Sequence, residues 1–308
     1  MNRLRWLVLF WLAAGAAVAG DPVVWKAPVG AWEARLRVEQ PNPARDLAAD
    51  LAATGAMLER HWSQLRREGA GSEITQVNVL AGQRSGRLSR PNYDAVLRSL
   101  QWKDKTRGAV DLLAGPLRRW QAAGGVLPAP DSVLALVRDG GAYFVELGVL
   151  LRTPGMELDL DPIADGLLAD RALDSLRARG HRGVSVGLGS VWRVTPGDSI
   201  RILDDGSAAS GAGPWLAGRA WASRPAGGAQ LDPRTGRPVE SGFRAAVLAP
   251  TAEEAAVWAT ALSLLGWEGL ELLNDLPKVD AALAGPGPAG PELRRTAGFP
   301  AGTGLDPR

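Results

Sequence analysis

Asp159-Leu160-Asp161-Pro162-Ile163-Ala164-Asp165-Gly166 contains a change of backbone geometry within one short block. Gly155 to Leu160 reads as a strand that Asp159 closes. Asp161-Pro162 reads as a helix start, with Asp161 as N-cap and Pro162 at the first helical position, where its missing N–H costs nothing. The helix is expected to run to about Arg179. Gly183 to Val194 beyond it is strand-like, and Gly187 and Gly189 imply a close backbone approach. The carboxylates of the block stop short of a twelve-residue calcium loop. Capping and the positive end of the helix dipole, near Asp165, account for them as they stand.

Working outward, Pro22 to Gly30 is expected to be extended, and Trp32 to Val38 alternates as a strand does. From Ala44 to Leu65 the apolar positions Leu47, Leu51, Leu58, Trp62 and Leu65 recur at helical spacing, with His61 beside the stripe as a packed or half-exposed residue. Pro91 to Leu100 predicts a helix, and Ala142 to Leu151 a strand. Asp204 to Gly228 reads as a loop-rich excursion containing Trp215 and Trp221. A turn at Asp232-Pro233-Arg234-Thr235-Gly236 precedes a strand from Phe243 to Leu248. The helix Ala252 to Leu265 has only Glu253 and Glu254 charged, so it is expected to be buried on most sides. Residues 21–284 then form the domain. A Gly/Pro-rich tail occupies residues 285–308, with a short strand at Leu293 to Phe299.

The 308 residues suffice for one large domain with a sizeable core. Thirty-five basic against 33 acidic side chains leave a formal charge of +2, and Arg3 and Arg5 belong to a leader. No strong field remains to hold nucleic acid or an anionic membrane. The absence of cysteine excludes disulfides, thiolate metal sites and cysteine nucleophiles. Two histidines in dissimilar contexts, His61 and His181, argue against a zinc hydrolase or a His relay. Residues 1–20 combine a basic start, an apolar run from Trp6 to Ala14 and the small residues Ala17-Val18-Ala19. That is the order of a secretory signal cleaved near Ala19. The expected location is the periplasm of a diderm cell, with no transmembrane segment after signal removal.

Five blocks occur in series. They are Ser72-Glu73-Ile74-Thr75-x-x-Asn78; Gly108-Ala109-x-Asp111 with Gly115-Pro116-Leu117; Asp159-Leu160-x-x-Ile163-Ala164-x-Gly166-x-x-x-Asp170; Asp232-Pro233-x-Thr235-Gly236-x-Pro238-Val239; and Ala259-Thr260-Ala261-Leu262 with Leu265-Gly266. In this order they resemble the FAD:protein FMN transferase family of the ApbE type, from about Gly30 to Phe299. The resemblance implies a single large α+β domain with mixed sheets and packed helices. It also implies FAD as substrate, Mg²⁺ at the pyrophosphate, and transfer of FMN to a threonine of a periplasmic or membrane-associated flavoprotein with release of AMP. By the same resemblance Ala109, Val110 and Asp111 line the flavin site and Asp159 holds the cofactor. Asp165 and Gln230 stand at further cofactor-side positions. Pro162, through its carbonyl, and Thr260 stand at metal-ligand positions.

The chain also departs from that pattern. The histidine heading the family's His-Ile-x-Asp-Pro block is replaced in Ala229-Gln230-Leu231-Asp232-Pro233. Ala256 stands where the family places a metal-binding aspartate, four residues before the threonine. Asp165 replaces a frequent lysine, exchanging attraction for phosphate for repulsion. Gly187-Leu188-Gly189 is a weak phosphate-cradle signal, Val29-Gly30-Ala31 replaces Met-Gly-Thr, and Leu65 stands where a tyrosine often stacks on the cofactor. Glu253, Glu254 and Asp165 are the candidates to supply the missing carboxylate. Two readings follow: a transferase with weakened chemistry, or a catalytically inactive flavin-binding or partner-docking module. The ten tryptophans beyond the leader are material for a binding face in the second reading.

Overall fold

The apolar positions of Trp32–Gln40 fall on alternate residues, so Ala34, Leu36 and Val38 turn to one face and are fully buried. That face belongs to the main sheet of the protein, seen in a computed structural model that describes residues 22–196, 199–202, 208–209, 215–217, 219–224, 230–239 and 242–300. The expected leader, residues 1–20, lies outside the described residues, as does Ala229.

In chain order the first elements are β1 (Val23–Val29), β2 (Trp32–Gln40), α1 (Leu47–Leu65), α2 (Glu73–Val79), β3 (Gly86–Arg87), α3 (Arg90–Ser99), α4 (Gln101–Lys105), α5 (Gly115–Ala122) and α6 (Asp131–Arg138). Next come β4 (Ala142–Val145), β5 (Gly148–Leu151), α7 (Asp161–Ala178), β6 (Arg182–Leu188), β7 (Val191–Val194), β8 (Ser199–Ile202), β9 (Ala208–Ala209), β10 (Trp215–Ala217) and β11 (Ala220–Arg224). The chain continues through β12 (Gln230–Leu231), β13 (Pro238–Val239), β14 (Arg244–Ala249), α8 (Ala252–Leu265), α9 (Trp267–Glu271), β15 (Asp280–Gly287) and β16 (Gly290–Arg295). Eight strands form one antiparallel sheet in the order β1-β2-β6-β7-β11-β14-β15-β16, and small sheets are made by β3-β5-β4, β10-β8-β9 and β12-β13.

Helices α1, α7 and α8 cover one face of the main sheet. Leu36, Leu58, Leu168, Val186, Val247 and Leu262 meet there in one continuous core. The two central helices pack closely because Gly166 lacks a side chain; a Cβ there would lie 2.3 Å from the carbonyl oxygen of Ala252. A smaller cluster on the other face joins Trp192, Trp221 and Phe299. Asp46 caps α1 by accepting the Ala49 N–H at 3.1 Å, and Thr251 caps α8 by accepting that of Glu254 at 3.2 Å. The mixed α+β architecture and the buried α8, with the bounds read from its sequence, match the expectation.

Several local expectations are corrected. Gly155 to Leu160 forms no strand: its backbone groups are met by the Asn78 side chain, which bridges the N–H and C=O of Leu158 at 2.7 and 3.0 Å, and by Leu112, whose carbonyl accepts from Asp159. Asp161 lies inside the first turn of α7 rather than capping it. Asp159 makes the local bond instead, accepting the Asp161 N–H at 3.1 Å. Ala142 to Leu151 is a hairpin, turned at Glu146 with φ +52°. Gly187 cradles no phosphate; its open face is filled by the Trp192 indole, which a Cβ would meet at 2.7 Å. The segment expected as a tail from Gly285 carries the end of β15 and all of β16, and Phe299 folds back onto Trp221 at 5.9 Å between ring centroids. Burial of that apolar ring holds the segment to the sheet.

Candidate functional site

The connection from α4 to α5 is shaped by Thr106, whose hydroxyl accepts the Val110 N–H at 3.0 Å and donates to the Trp102 carbonyl at 2.6 Å. The turn presents Ala109, Val110 and Asp111, all buried. Asp111 is fixed from two sides: Oδ1 accepts the Leu113 N–H at 2.9 Å, and Oδ2 lies 2.7 Å from Lys103 Nζ. Opposite stands the start of α7, where Asp159 is 1 % exposed. Its Oδ1 is used by the Asp161 N–H, while Oδ2 is buried without a hydrogen bond, 3.5 Å from Arg118 Nε. A buried acceptor left unmet costs about 1–3 kcal/mol, more for a charged group, so an outside donor at this oxygen would stabilise the arrangement.

These walls enclose a cavity of about 20 Å³, lined by Ala109, Val110, Asp111, Asp159, Pro162 and Thr260 together with Ala114, Arg118, Leu231, Pro233 and Leu264. That is room for about one water molecule, so a larger ligand enters only if the walls part. Six residues singled out from the sequence thus share one recess although they span three separate blocks. Of the remaining two, Gln230 pairs with Val239 in the small sheet beside it, and Asp165 lies behind the wall, 5 % exposed. Leu65 packs in the main core rather than on the cavity.

Arg224, at the end of β11, joins Asp165 to the cavity wall. Its Nη2 donates to Asp165 Oδ2 at 3.0 Å, Nε to Thr260 Oγ1 at 3.2 Å, and Nη1 to Ser190 Oγ and to the Ser223 carbonyl at 3.1 and 3.2 Å. The repulsion expected from Asp165 toward phosphate is therefore offset by a guanidinium in direct contact with it. The sequence gives no sign of this pair: Arg224 ends an apolar strand 59 residues from Asp165 and 36 from Thr260. Arg118 was closer to detection, because it follows the Gly115-Pro116-Leu117 block by a single residue. Desolvation, followed by the nearby Asp159 charge, pushes the Asp161 carboxyl up to about 6, although the residue is exposed to solvent.

The oxygens around Thr260 do not make a magnesium site. The Thr260 hydroxyl donates to the Ala256 carbonyl at 2.9 Å and accepts from Arg224, Ala256 offers no side-chain oxygen, and Asp165 is engaged by Arg224 and by the Gly166 N–H. Among the described residues no three His, Asp or Glu side chains converge on a point. A hard dication prefers carboxylates. On Thr260 Oγ1 it would also lie within about 5 Å of the guanidinium, a repulsion on the order of 5 kcal/mol at intermediate dielectric. Glu253 and Glu254 do not fill the gap. Glu253 is two helical turns before Thr260, about 10 Å along the axis, where Oε1 accepts the Trp102 indole N–H at 3.1 Å; Glu254 lines the same distant groove.

The fold and the recess define an α+β protein with a small, charged and partly unmet recess beside its central helix pair. The chain belongs to the ApbE family, whose model matches residues 31–204 and 228–283. It is similar to an FAD:protein FMN transferase of Treponema pallidum (strain Nichols), 27 % identical over 293 residues that cover 80 % of each chain. It is also similar to one of Klebsiella pneumoniae (strain 342), 30 % identical over 141 residues, covering 43 % of this chain and 45 % of the relative. Among solved structures, the apo flavinyl transferase ApbE of Pseudomonas stutzeri superposes with a TM-score of 0.79 at 18 % identity, over 92 % of this chain and 98 % of that one. The flavin transferase ApbE of Vibrio cholerae gives 0.75 at 18 %, over 91 % and 98 %. Among the described residues no helix is long and apolar enough to cross a membrane.

Proposed function

We propose that this chain binds FAD in the recess between Asp111 and Asp159 and transfers its FMN portion to a threonine of an acceptor flavoprotein. The observation that carries this reading is Asp159 Oδ2, a buried carboxylate oxygen on the cavity wall with no hydrogen-bond donor, faced by Arg118. A ligand combining a donor for Asp159 with an anionic group for Arg118 meets both needs, and a flavin dinucleotide is such a ligand. Ala109 and Val110 supply the apolar surface for a ring system. In the transfer the acceptor hydroxyl oxygen forms a bond to the FMN phosphorus, the pyrophosphate P–O bond breaks, and AMP leaves with that oxygen. The hydroxyl proton is lost to a base. Arg118 lies where it offsets charge on the phosphoryl oxygens.

The leader pattern of residues 1–20 supports export, and with it a periplasmic or membrane-associated acceptor. A second reading, a flavin-holding module without transfer, is favoured by Ala256 and Ala229 at positions where the resemblance expects an aspartate and a histidine. Incubating the purified protein with FAD and a flavoprotein bearing the acceptor threonine separates the two. A covalent FMN adduct seen by mass and fluorescence supports the transferase, and bound FAD without adduct supports the module. Neither adduct nor binding overturns both.

A further inference from the structure

We infer that Arg224 is the resident cation of this site, so that the chain takes the pyrophosphate of FAD without a divalent metal ion. The inference rests on the FAD reading above and adds to it the source of positive charge. Arg224 approaches Thr260 and Asp165 together, the two side-chain oxygens nearest the position where the resemblance sets a metal. Both are held in hydrogen bonds to the same guanidinium; Ala256, one helical turn from Thr260, adds no carboxylate, and Asp111 and Asp159 on the cavity wall are each already faced by a cation, Lys103 and Arg118. A carboxylate at 256 would give the ion a charged ligand. With alanine there, Asp165 is matched by one guanidinium, and the pair closes on itself.

The guanidinium is set rather than adaptable. Ser190 Oγ and the Ser223 carbonyl take its Nη1 donors, Thr260 takes Nε, and Asp165 takes one donor of Nη2. Arginine carries five N–H groups, which leaves one Nη2 N–H without an acceptor among the described residues. It belongs to a guanidinium that stands directly behind Thr260, a residue of the cavity wall. An arginine fixed in this way presents its donor in a set direction, which suits a phosphate oxygen. Arg118 on the opposite side of the recess provides a second cation. Two guanidinium groups, Arg118 on the cavity wall and Arg224 behind Thr260, match the two negative charges of a pyrophosphate diester without help from magnesium.

Two measurements on the full chain test this independently of catalysis. Calorimetric titration of Mg²⁺ into the protein without FAD is expected to show no binding in the millimolar range for the wild type. The double variant Arg224→Ala with Ala256→Asp is expected to gain a magnesium site at least about tenfold tighter, since it removes the cation and restores a carboxylate. Magnesium binding by the wild type that is lost in Thr260→Val would overturn the inference. The second measurement is FAD binding by flavin fluorescence, expected to be equal in EDTA and in magnesium. Arg224→Gln should weaken it by about tenfold or more and Arg224→Lys by less, because the charge is kept while the fork is lost. Circular dichroism melts show that the variants are folded. Affinity that rises with magnesium in the wild type would overturn the inference. If the wild type binds no FAD under either condition, the FAD reading fails, and the magnesium titration still decides the role of Arg224.

Discussion

Helix α8 has a polar recess near each end, and the two differ in how their charges are met. At Thr260 the cavity is small, about 20 Å³, and contains a buried carboxylate oxygen with no donor. Near the start of the helix a groove of about 580 Å³ opens between α3, α7 and α8, lined among others by Asp94, Arg98, Trp102, Asp170, Arg171 and Glu253. Its principal polar groups are bonded to one another. Asp170 accepts the N–H groups of Ala252 and Glu253, each at 3.0 Å, Glu253 accepts from Trp102, and Arg171 reaches Asn92 and the Pro91 carbonyl. The larger space is thus a structural joint and the smaller one a candidate site. Unmet hydrogen-bonding capacity distinguishes them where volume points the other way.

The comparison breaks most directly at Asp159. Asp159→Ala should weaken FAD binding by about 50-fold, the value of a hydrogen bond to a buried charge, as read by flavin fluorescence; an unchanged affinity would move the ligand elsewhere. Asp170→Ala should act on stability, lowering it by about 2 kcal/mol in urea unfolding because α8 loses the acceptor for its first two N–H groups. Asp161 sharpens the contrast through pH. Its carboxyl is held up to about 6, so below that value it is neutral and the surroundings of Asp159 are less negative. FAD should therefore bind about fivefold tighter at pH 5 than at pH 7, on the order of 1 kcal/mol of relieved repulsion. Asp161→Asn should flatten the profile.

Asp50 gives the opposite sign, in stability rather than binding. The Arg45 hydrogen bond, with His181 and the Arg45 and Arg179 charges adding to it, lowers the carboxyl to about 2 against the opposing effect of burial. The folded state then binds fewer protons than the unfolded chain. Its contribution is present above about pH 4 and is lost as pH falls through about 2. Asp50→Asn should reduce the slope of stability against pH in that window, as followed by thermal melts. The smallest expected effect is that of Glu254→Gln in the groove, with FAD affinity unchanged and stability within about 0.5 kcal/mol.

Much of the scaffold was legible because it rests on local chemistry. The alternation of Trp32 to Val38, the apolar stripe from Leu47 to Leu65 and the nearly uncharged run of α8 each specify an element without reference to the rest. Where legibility failed, the partner was distant. Gly155 to Leu160 has a strand's composition, yet its backbone is satisfied by Asn78, 80 residues earlier along the chain from Leu158. Gly285 to Phe299 has a tail's composition, yet β15, β16 and the Phe299 contact with Trp221 bind it to the sheet.

The sequence alone determined the family, the order of the elements and six positions of the cavity wall, because short blocks fix turns and helix starts through contacts between near neighbours. Only the tertiary structure decided the electrostatics of the site. Sheet register brings Arg224 on β11 to Asp165 on α7 and Thr260 on α8. The sign and pairing of charge in a cleft depend on such distances in space, which composition and spacing along the chain do not contain.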